Sequence, residues 1–410
     1  MRAYLRLASH PNHHPITKIT TRTRAHQVRK HRTALHHLAD ITGINPSRLE
    51  KIGTQRYRPG DKTPIIVKIA GTKELSIAWD NEHCNRGVVI YTDRSGLQGT
   101  IGTAAILFIN GIRTDELRYQ LSSDKQHTVF EGELVAILLG LHLARRHIET
   151  HPSFSISVDN QAAIKSISNN QAQPAQYIID KVKLAIRELI VTGQEGNRNN
   201  RFINTAISVM LTWVAGHMGS KGNEAADELA RAATEFSSSN NSLLPDLLKN
   251  DLPGSISATK QYTKLNTKRD TIKWWKCSEC YKKIKAIDPS LPSKTYLENT
   301  GDLSHSQTSL LTQLRTGHVP LNQHLHCIGR SNTPHCQHCP GTVKNVTHLL
   351  LFCRRHAHHH HRIAVALKRK AHDISHLLAN TKAIRYTLNF LHSTRRFEHT
   401  HSDISMSLVD

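Results

Sequence analysis

Four acidic side chains and one histidine stand where their placement, more than their type, invites chemistry. Asp93 directly follows a run of apolar and β-branched residues, 87–92 (GVVIYT), and Asp159 follows a second such run, 154–158. Two acids at the ends of neighbouring strands can converge on one point. Glu133 sits in the first turns of an otherwise apolar helical segment, flanked by Phe130 and Leu134, which should hold it near the core. Asp227 lies three residues after Glu224 and four after Asn223, at the start of another helix. His217 precedes it by ten residues, in a loop flanked by Gly216, Gly219 and Gly222. A lone Asp is usually a cap or a solvated carboxylate, but four carboxylates sharing a small volume stay ionised only if cations neutralise them. Hard oxygen donors suit Mg²⁺ or Mn²⁺. Two such ions about 4 Å apart can activate a water and stabilise the leaving oxygen of a phosphodiester.

A second set is soft. Cys336-x2-Cys339-x8-His348-x4-Cys353 supplies three thiolates and an imidazole. That is a full tetrahedral shell for Zn²⁺, and with no open position the ion would brace the fold. Cys277 and Cys280 share the CxxC spacing but have no nearby partners, and they read as chance. The 30 histidines, including the run 358–361, are scattered and not paired at ligand spacing.

The elements that must position these residues follow from periodicity. Strands are expected at 87–92, 100–108 and 116–121, with turn residues between them (Ser95, Gly96 and Gly99, then Asn110 and Gly111). Apolar residues at Val129, Leu134, Ile137, Leu138 and Leu141 give a helix over 128–146. A strand at 154–158, helices at 160–167 and 175–190, a strand at 207–214 and a helix at 221–233 complete the order βββαβααβα. That order suits an α/β fold with a five-stranded mixed sheet. Residues 1–74 read as a basic tail, with 14 Lys and Arg against 3 Asp and Glu in the first 70 and one candidate helix at 26–42. The Ser-, Asn- and Pro-rich stretch 236–252 marks a boundary. It opens a linker, 236–305, that carries Trp274 and Trp275. The remainder, 306–410, reads as a small, mostly α, zinc-containing region with helix-prone stretches at 307–315 and 362–391.

Of 410 residues, 54 are Lys or Arg and 32 Asp or Glu, a formal charge of +22. A surplus of that size attracts polyanions, so nucleic acid is the expected partner of the basic surface. The longest apolar stretch, 134–144, is 11 residues and contains His142, where a membrane span needs about 20. No membrane partner is therefore expected. The opening MRAYLRLASHPNHH lacks an apolar secretory core, so the expected location is intracellular, nuclear or cytoplasmic. Seven cysteines, an odd number, favour reduced thiols or metal over disulfides.

Four separated motifs resemble the type 1 ribonuclease H domain: IYTDRSG (90–96), FEGELVAI (130–137), SVDNQAA (157–163) and LTWVAGHMGSKGNEAADELA (211–230). The likeness covers about 75–233, and the domain it implies is taken as 75–235. It implies that Asp93, Glu133, Asp159 and Asp227 hold two Mg²⁺ and that His217 moves protons or assists product departure. It also implies cleavage of the RNA strand of RNA–DNA hybrids, leaving a 3′-hydroxyl and a 5′-phosphate, with the 2′-OH distinguishing the strand. Two positions depart from that pattern: Arg94 stands where the family usually has Gly, and Ala215 where it usually has Pro, a change expected to loosen the loop. Arg94 raises a rival reading, a catalytically silent nucleic-acid-binding remnant. LLTQLRTGHVPLNQHL (310–325) and CQHCPGTVKNVTHLLLFC (336–353) resemble the zinc-binding segment that follows reverse transcriptases of non-LTR retrotransposons. LRLASHPNHHP near the start resembles the end of such a polymerase. Together these look like the C-terminal part of a fungal LINE-type polyprotein. His305 and Cys327 stand where Arg looks usual, as single C-to-T changes in CGN codons would produce in a mutated copy.

Overall fold

The apolar run around residue 90 faces two cores at once. In strand β2 (Val88–Leu97), Val88 and Ile90 point into the main core while Val89 and Tyr91 pack with Ala226 on the other side. Strand β3 (Thr100–Ile109) alternates in the same way, Ala105 and Leu107 to one side and Ala104 and Ile106 to the other. A strand covered on both faces must be apolar at every position, which is why this pair reads as continuous runs. The structure, a computed structural model, describes residues 2–17, 37, 40, 44–53, 65–97, 99–199, 207–236, 238–401 and 403–407. They fall into two compact units, Met1–Leu265 and Asn266–Asp410.

In the first unit, strands β1 (Ile66–Lys68), β4 (Ile112–Ser123), β5 (Ser153–Val158) and β6 (Ser208–Trp213) join β2 and β3 in the order β1-β6-β5-β2-β3-β4. β2, β5, β6 and β1 run parallel, and β3 and β4 are antiparallel to their neighbours. The mixed α/β sheet expected from the sequence is present with six strands instead of five. The added β1 is short and solvent-exposed, so no core-facing pattern announced it. β2 also runs past Asp93 to Leu97, because β3 continues to pair with it as far as Thr100; Ser95 and Gly96 are ladder residues and not a turn.

Helix α1 (Arg2–Ala8) and helix α2 (Lys73–His83) precede the first long strand. Helix α3 (Val129–Arg146), opened by a reciprocal Thr128–Glu131 capping box, is apolar nearly all round. It lies between the sheet and helix α5 (Gln176–Asn199), the arrangement that burial on all sides demands. Helix α4 (Gln161–Ser168) follows β5, and helix α6 (Lys221–Phe236) covers the opposite face of the sheet. Gly102 permits that approach: a Cβ there would lie 2.1 Å from the Ala230 carbonyl oxygen.

Residues expected to be tail or linker take part in this unit. Tyr4, Leu5 and Ala8 of α1 pack with Leu49 and Ile256. The candidate helix at 26–42 lies, but for His37 and Asp40, outside the described residues. Ser238 and Ser239 accept from the Gln120 and Arg118 amides at 2.9 and 3.0 Å, stitching the outer edge of β4, while Leu244 and Leu248 enter the main core. Helix α7 (Ile256–Lys276) has no Gly or Pro across its 21 residues, so much of the expected linker is helical.

Glu50 shows how such a segment is tied in. Fully buried, it accepts from the Ala175 amide at 2.7 Å and the Ile256 amide at 2.8 Å. Glu50→Ala leaves two buried donors unpaired, so an expected loss of roughly 2–5 kcal/mol should appear in denaturant unfolding. A loss below about 0.5 kcal/mol, the range of an ordinary surface change, would contradict the tie.

In the second unit, helices α8 (Tyr281–Ile287), α9 (Thr295–Thr300), α10 (His305–Thr316) and α11 (Asn322–Cys327) lead to a hairpin of β7 (His335–Cys336) and β8 (Cys339–Val343). A π-helical turn, His348–Phe352, and helices α12 (Ala357–Leu367), α13 (Ile374–Ala379) and α14 (Thr381–Ser393) follow. Leu310, Leu311, Leu349, Leu350, Leu377, Leu388 and Leu391 share its core.

Candidate active site

Register brings the first two acids together. β2 and β5 are parallel with Thr92 opposite Val158, so Asp93 and Asp159, the next residue of each chain segment, emerge side by side. Glu133 rises from the first turns of α3, its side chain 1% exposed. One oxygen from each of Asp93, Glu133 and Asp159 lies within 4.8 Å of the other two.

The cluster is electrostatically frustrated as it stands. Burial pushes Asp93 up to about 7, and the charges of Asp159 and Asp227 add to the rise. Burial likewise raises Glu133, with Asp159 and then Asp93 repelling it. Burial raises Asp159 too, while the charges of Arg94 and His217 oppose the rise. Glu133 Oε2 and Asp159 Oδ1 are buried and have no hydrogen-bond partner among the described residues. Unpaired, mutually repelling hard oxygens form a donor set that fits divalent cations.

Two expected neighbours behave differently. Asp227 lies outside the three-acid cluster; its Oδ2 accepts from Arg231 Nη2 at 2.9 Å, although its charge is still felt at Asp93. His217 is exposed at the rim, on a backbone with φ of 56°, near enough for its charge to act on Asp159. Ala215, the other departure, is buried, and its N–H, a donor that Pro would lack, donates to Ser76 Oγ at 3.0 Å.

Arg94 makes the contact that spacing alone does not reveal. Its Nε donates to Glu133 Oε1 at 3.0 Å, so a guanidinium neutralises the acid a metal would otherwise use. Asn160 was also missed. It caps α4 through the Ala162 and Ala163 amides, and it lies close enough to Glu133 to favour that acid's charged form. An Asn placed between a strand-end Asp and a helix was the available signal.

In the second unit, ligand atoms of Cys336, Cys339, His348 and Cys353 lie within 4.8 Å of one another, all four residues buried. The hairpin pairs Cys336 with Cys339, and the π-helical turn carries His348 round to Cys353. Both ring nitrogens of His348 are buried and have no hydrogen-bond partner among the described residues, so the donor set fits a soft metal. Cys277 and Cys280 are exposed, and no such cluster includes them among the described residues.

Residues 85–235 match the family model for RNase H. No curated protein matches the sequence. Among solved structures, RNase H1 from the halophilic archaeon Halobacterium salinarum NRC-1 is 19% identical, covering 36% of this chain and 96% of that one, with a TM-score of 0.27. The protease-reverse transcriptase of Prototype Foamy Virus is 17% identical over 37% of this chain and 21% of that one, TM-score 0.29. LC11-RNase H1, solved with an RNA/DNA hybrid, is 13% identical over 36% and 96%, TM-score 0.25. Within the first unit, then, residues 85–235 form a ribonuclease H domain.

Proposed function

We propose that this protein hydrolyses the RNA strand of RNA–DNA hybrids, leaving a 3′-hydroxyl and a 5′-phosphate. The observation that carries the reading is the convergence of Asp93, Glu133 and Asp159 within one ribonuclease H domain. Two Mg²⁺ or Mn²⁺ ions, held by these acids with Asp227 joining from the rim, would supply an activated water and charge neutralisation at the scissile phosphate. Asp93 and Asp159 set the spacing of the donors, because each is fixed by its strand. Glu133 closes the site from below. His217, exposed at the rim, would move protons or assist product departure. The surplus of Lys and Arg binds backbone phosphates, and the 2′-OH marks the strand to be cut.

The Cys336, Cys339, His348 and Cys353 set holds Zn²⁺ as a structural brace in this reading, and the chain is a piece of a fungal LINE-type retrotransposon polyprotein working in the nucleus or cytoplasm. The test is cleavage of end-labelled hybrid with Mg²⁺, beside single-stranded RNA and duplex DNA. Only the RNA of the hybrid should be cut.

A second reading, a silent nucleic-acid-binding remnant, is favoured by the Arg94–Glu133 ion pair. The pair is partly exposed, so freeing Glu133 is worth about 1 kcal/mol, or about fivefold in ion affinity. Arg94→Gly should therefore raise the cleavage rate and lower the Mg²⁺ midpoint by about that factor. An unchanged midpoint with weaker hybrid binding would show that Arg94 grips phosphate instead. Hybrid binding without cleavage at any Mg²⁺ concentration, in both proteins, establishes the remnant.

A further inference from the structure

Helix α2, Lys73–His83, precedes the residues that match the RNase H family and has no role in the cleavage chemistry above. Two of its polar side chains are nevertheless buried: Ser76 at 1% and Asp80 at 6% exposure. They are four residues apart, on one face of the helix, and both reach the segment that carries His217.

Ser76 Oγ donates to the Trp213 carbonyl at 2.8 Å and accepts from the Ala215 amide at 3.0 Å. It thus grips the chain where β6 ends and the loop begins. Asp80 holds the other end. Its Oδ2 accepts from the Ser220 hydroxyl at 2.6 Å, and its Oδ1 accepts from the Tyr91 hydroxyl at 2.6 Å. Tyr91 lies in β2, two residues before Asp93, so one carboxylate links the end of the His217 loop to the strand that carries the central acid. Packing reinforces the link, because Gly222 lies so close to the Tyr91 ring that a Cβ there would sit 2.1 Å from it. The loop residues between the two grips, Gly216 to Gly219, include His217 at φ 56° and Gly219 at φ 83°. Gly216 lies against Asp159, with room for a Cβ only 3.3 Å from Oδ2.

We propose that helix α2 is a positioning element of the active site, in which Ser76 and Asp80 clamp both ends of the 214–220 loop and so set where His217 stands relative to Asp93 and Asp159. The proposal rests on the hybrid-cleavage reading. Asp80 acts through its two acceptor oxygens and not through its charge. An Asn can accept from Tyr91 and donate to Ser220, so it preserves both links; an Ala removes both.

The experiment compares the unsubstituted chain with Asp80→Ala, Asp80→Asn and Ser76→Ala. It measures hybrid cleavage under saturating Mg²⁺ and amide hydrogen exchange without substrate. In Asp80→Ala, amides 214–220 should exchange about tenfold faster while the β2, β3 and β5 amides keep their protection. kcat should fall about ten- to hundredfold, as a misplaced group costs, with KM unchanged. Asp80→Asn should restore both readouts to near the parent values, and Ser76→Ala should show the same pattern more weakly. Ser76→Ala carries the test if Asp80→Ala does not fold. Unchanged loop exchange overturns the proposal. So do loosening of the whole sheet and failure of Asn to rescue, because either makes Asp80 a general stabiliser. A loosened loop with normal kcat overturns it as well. If the unsubstituted chain cleaves nothing, the cleavage reading fails. The exchange arm then decides alone: selective loosening of 214–220 supports the clamp, and its absence overturns it.

Discussion

Replacing Asp93 with Asn is expected to abolish hybrid cleavage and, in protein stripped of divalent ions, to raise stability at pH 8. The two effects come from one carboxylate. Its loss should reduce cleavage by about a thousandfold, the upper end of the range found when one group that supports charge in a transition state is removed. Hybrid affinity should stay within a few-fold, because it rests on phosphate contacts by Lys and Arg. The stability gain has a definite sign. Asp93 is 5% exposed, and its pKa stands near 7 in the fold against an ordinary 3.8. The folded state therefore holds a proton that the unfolded chain gives up. Stability from this group is fully present below about pH 4 and is lost as pH rises to about 7. Above pH 7 the loss amounts to at most roughly 4 kcal/mol. Asn carries no such charge and can still accept from the Arg94 amide, as Asp93 Oδ1 does at 2.7 Å. Thermal unfolding in a chelator at pH 5 and pH 8 checks this, and the variant should gain over the parent at pH 8 much more than at pH 5. A variant that cleaves like the parent removes Asp93 from the site. One that gains nothing at pH 8 contradicts the buried, repelled carboxylate.

If the cysteine cluster holds Zn²⁺ as proposed, stripping that ion should weaken the second unit by several kcal/mol, since metal affinity in such sites is folding free energy. The coupling runs through two leucines. Leu349 and Leu350 lie between His348 and Cys353 and are buried in the unit's core, so releasing the turn pulls on that core. Burial, then Lys344 and His360, holds His348 below the usual histidine range, which keeps the imidazole neutral and able to donate a lone pair. Burial pushes the Cys353 thiol up to about 11, so metal binding must expel a proton and weakens in acid. Protein purified without chelator should carry about one Zn²⁺ per chain. A strong chelator, or Cys353→Ser, should lower the unfolding midpoint of residues 266–410, followed by proteolysis of that unit. Metal-free protein with an unchanged midpoint would reject the site.

What the sequence determined by itself were the features that repeat over short range. The order βββαβααβα between residues 88 and 236 was legible because the signals are written locally: a continuous apolar run in Val88–Tyr91, and apolar residues at helical spacing in α3. Asp93, Asp159 and Glu133 were legible because an acid stands out against an apolar run, and the Cys/His set because its spacing is short. Tertiary structure alone decided the features that join distant segments. Glu50 meets Ala175 and Ile256 across 125 and 206 residues, and no local pattern marks such a pairing. β1 is three exposed residues that became a strand only because the edge of β6 was free to pair. Asp227 turned to Arg231, one helical turn away, while Arg94 reached across 39 residues to Glu133. Those choices are made by side-chain rotamers within a finished fold. Which acids converge was thus set by strand register, and which cation answers each acid was set by what the completed packing left within reach.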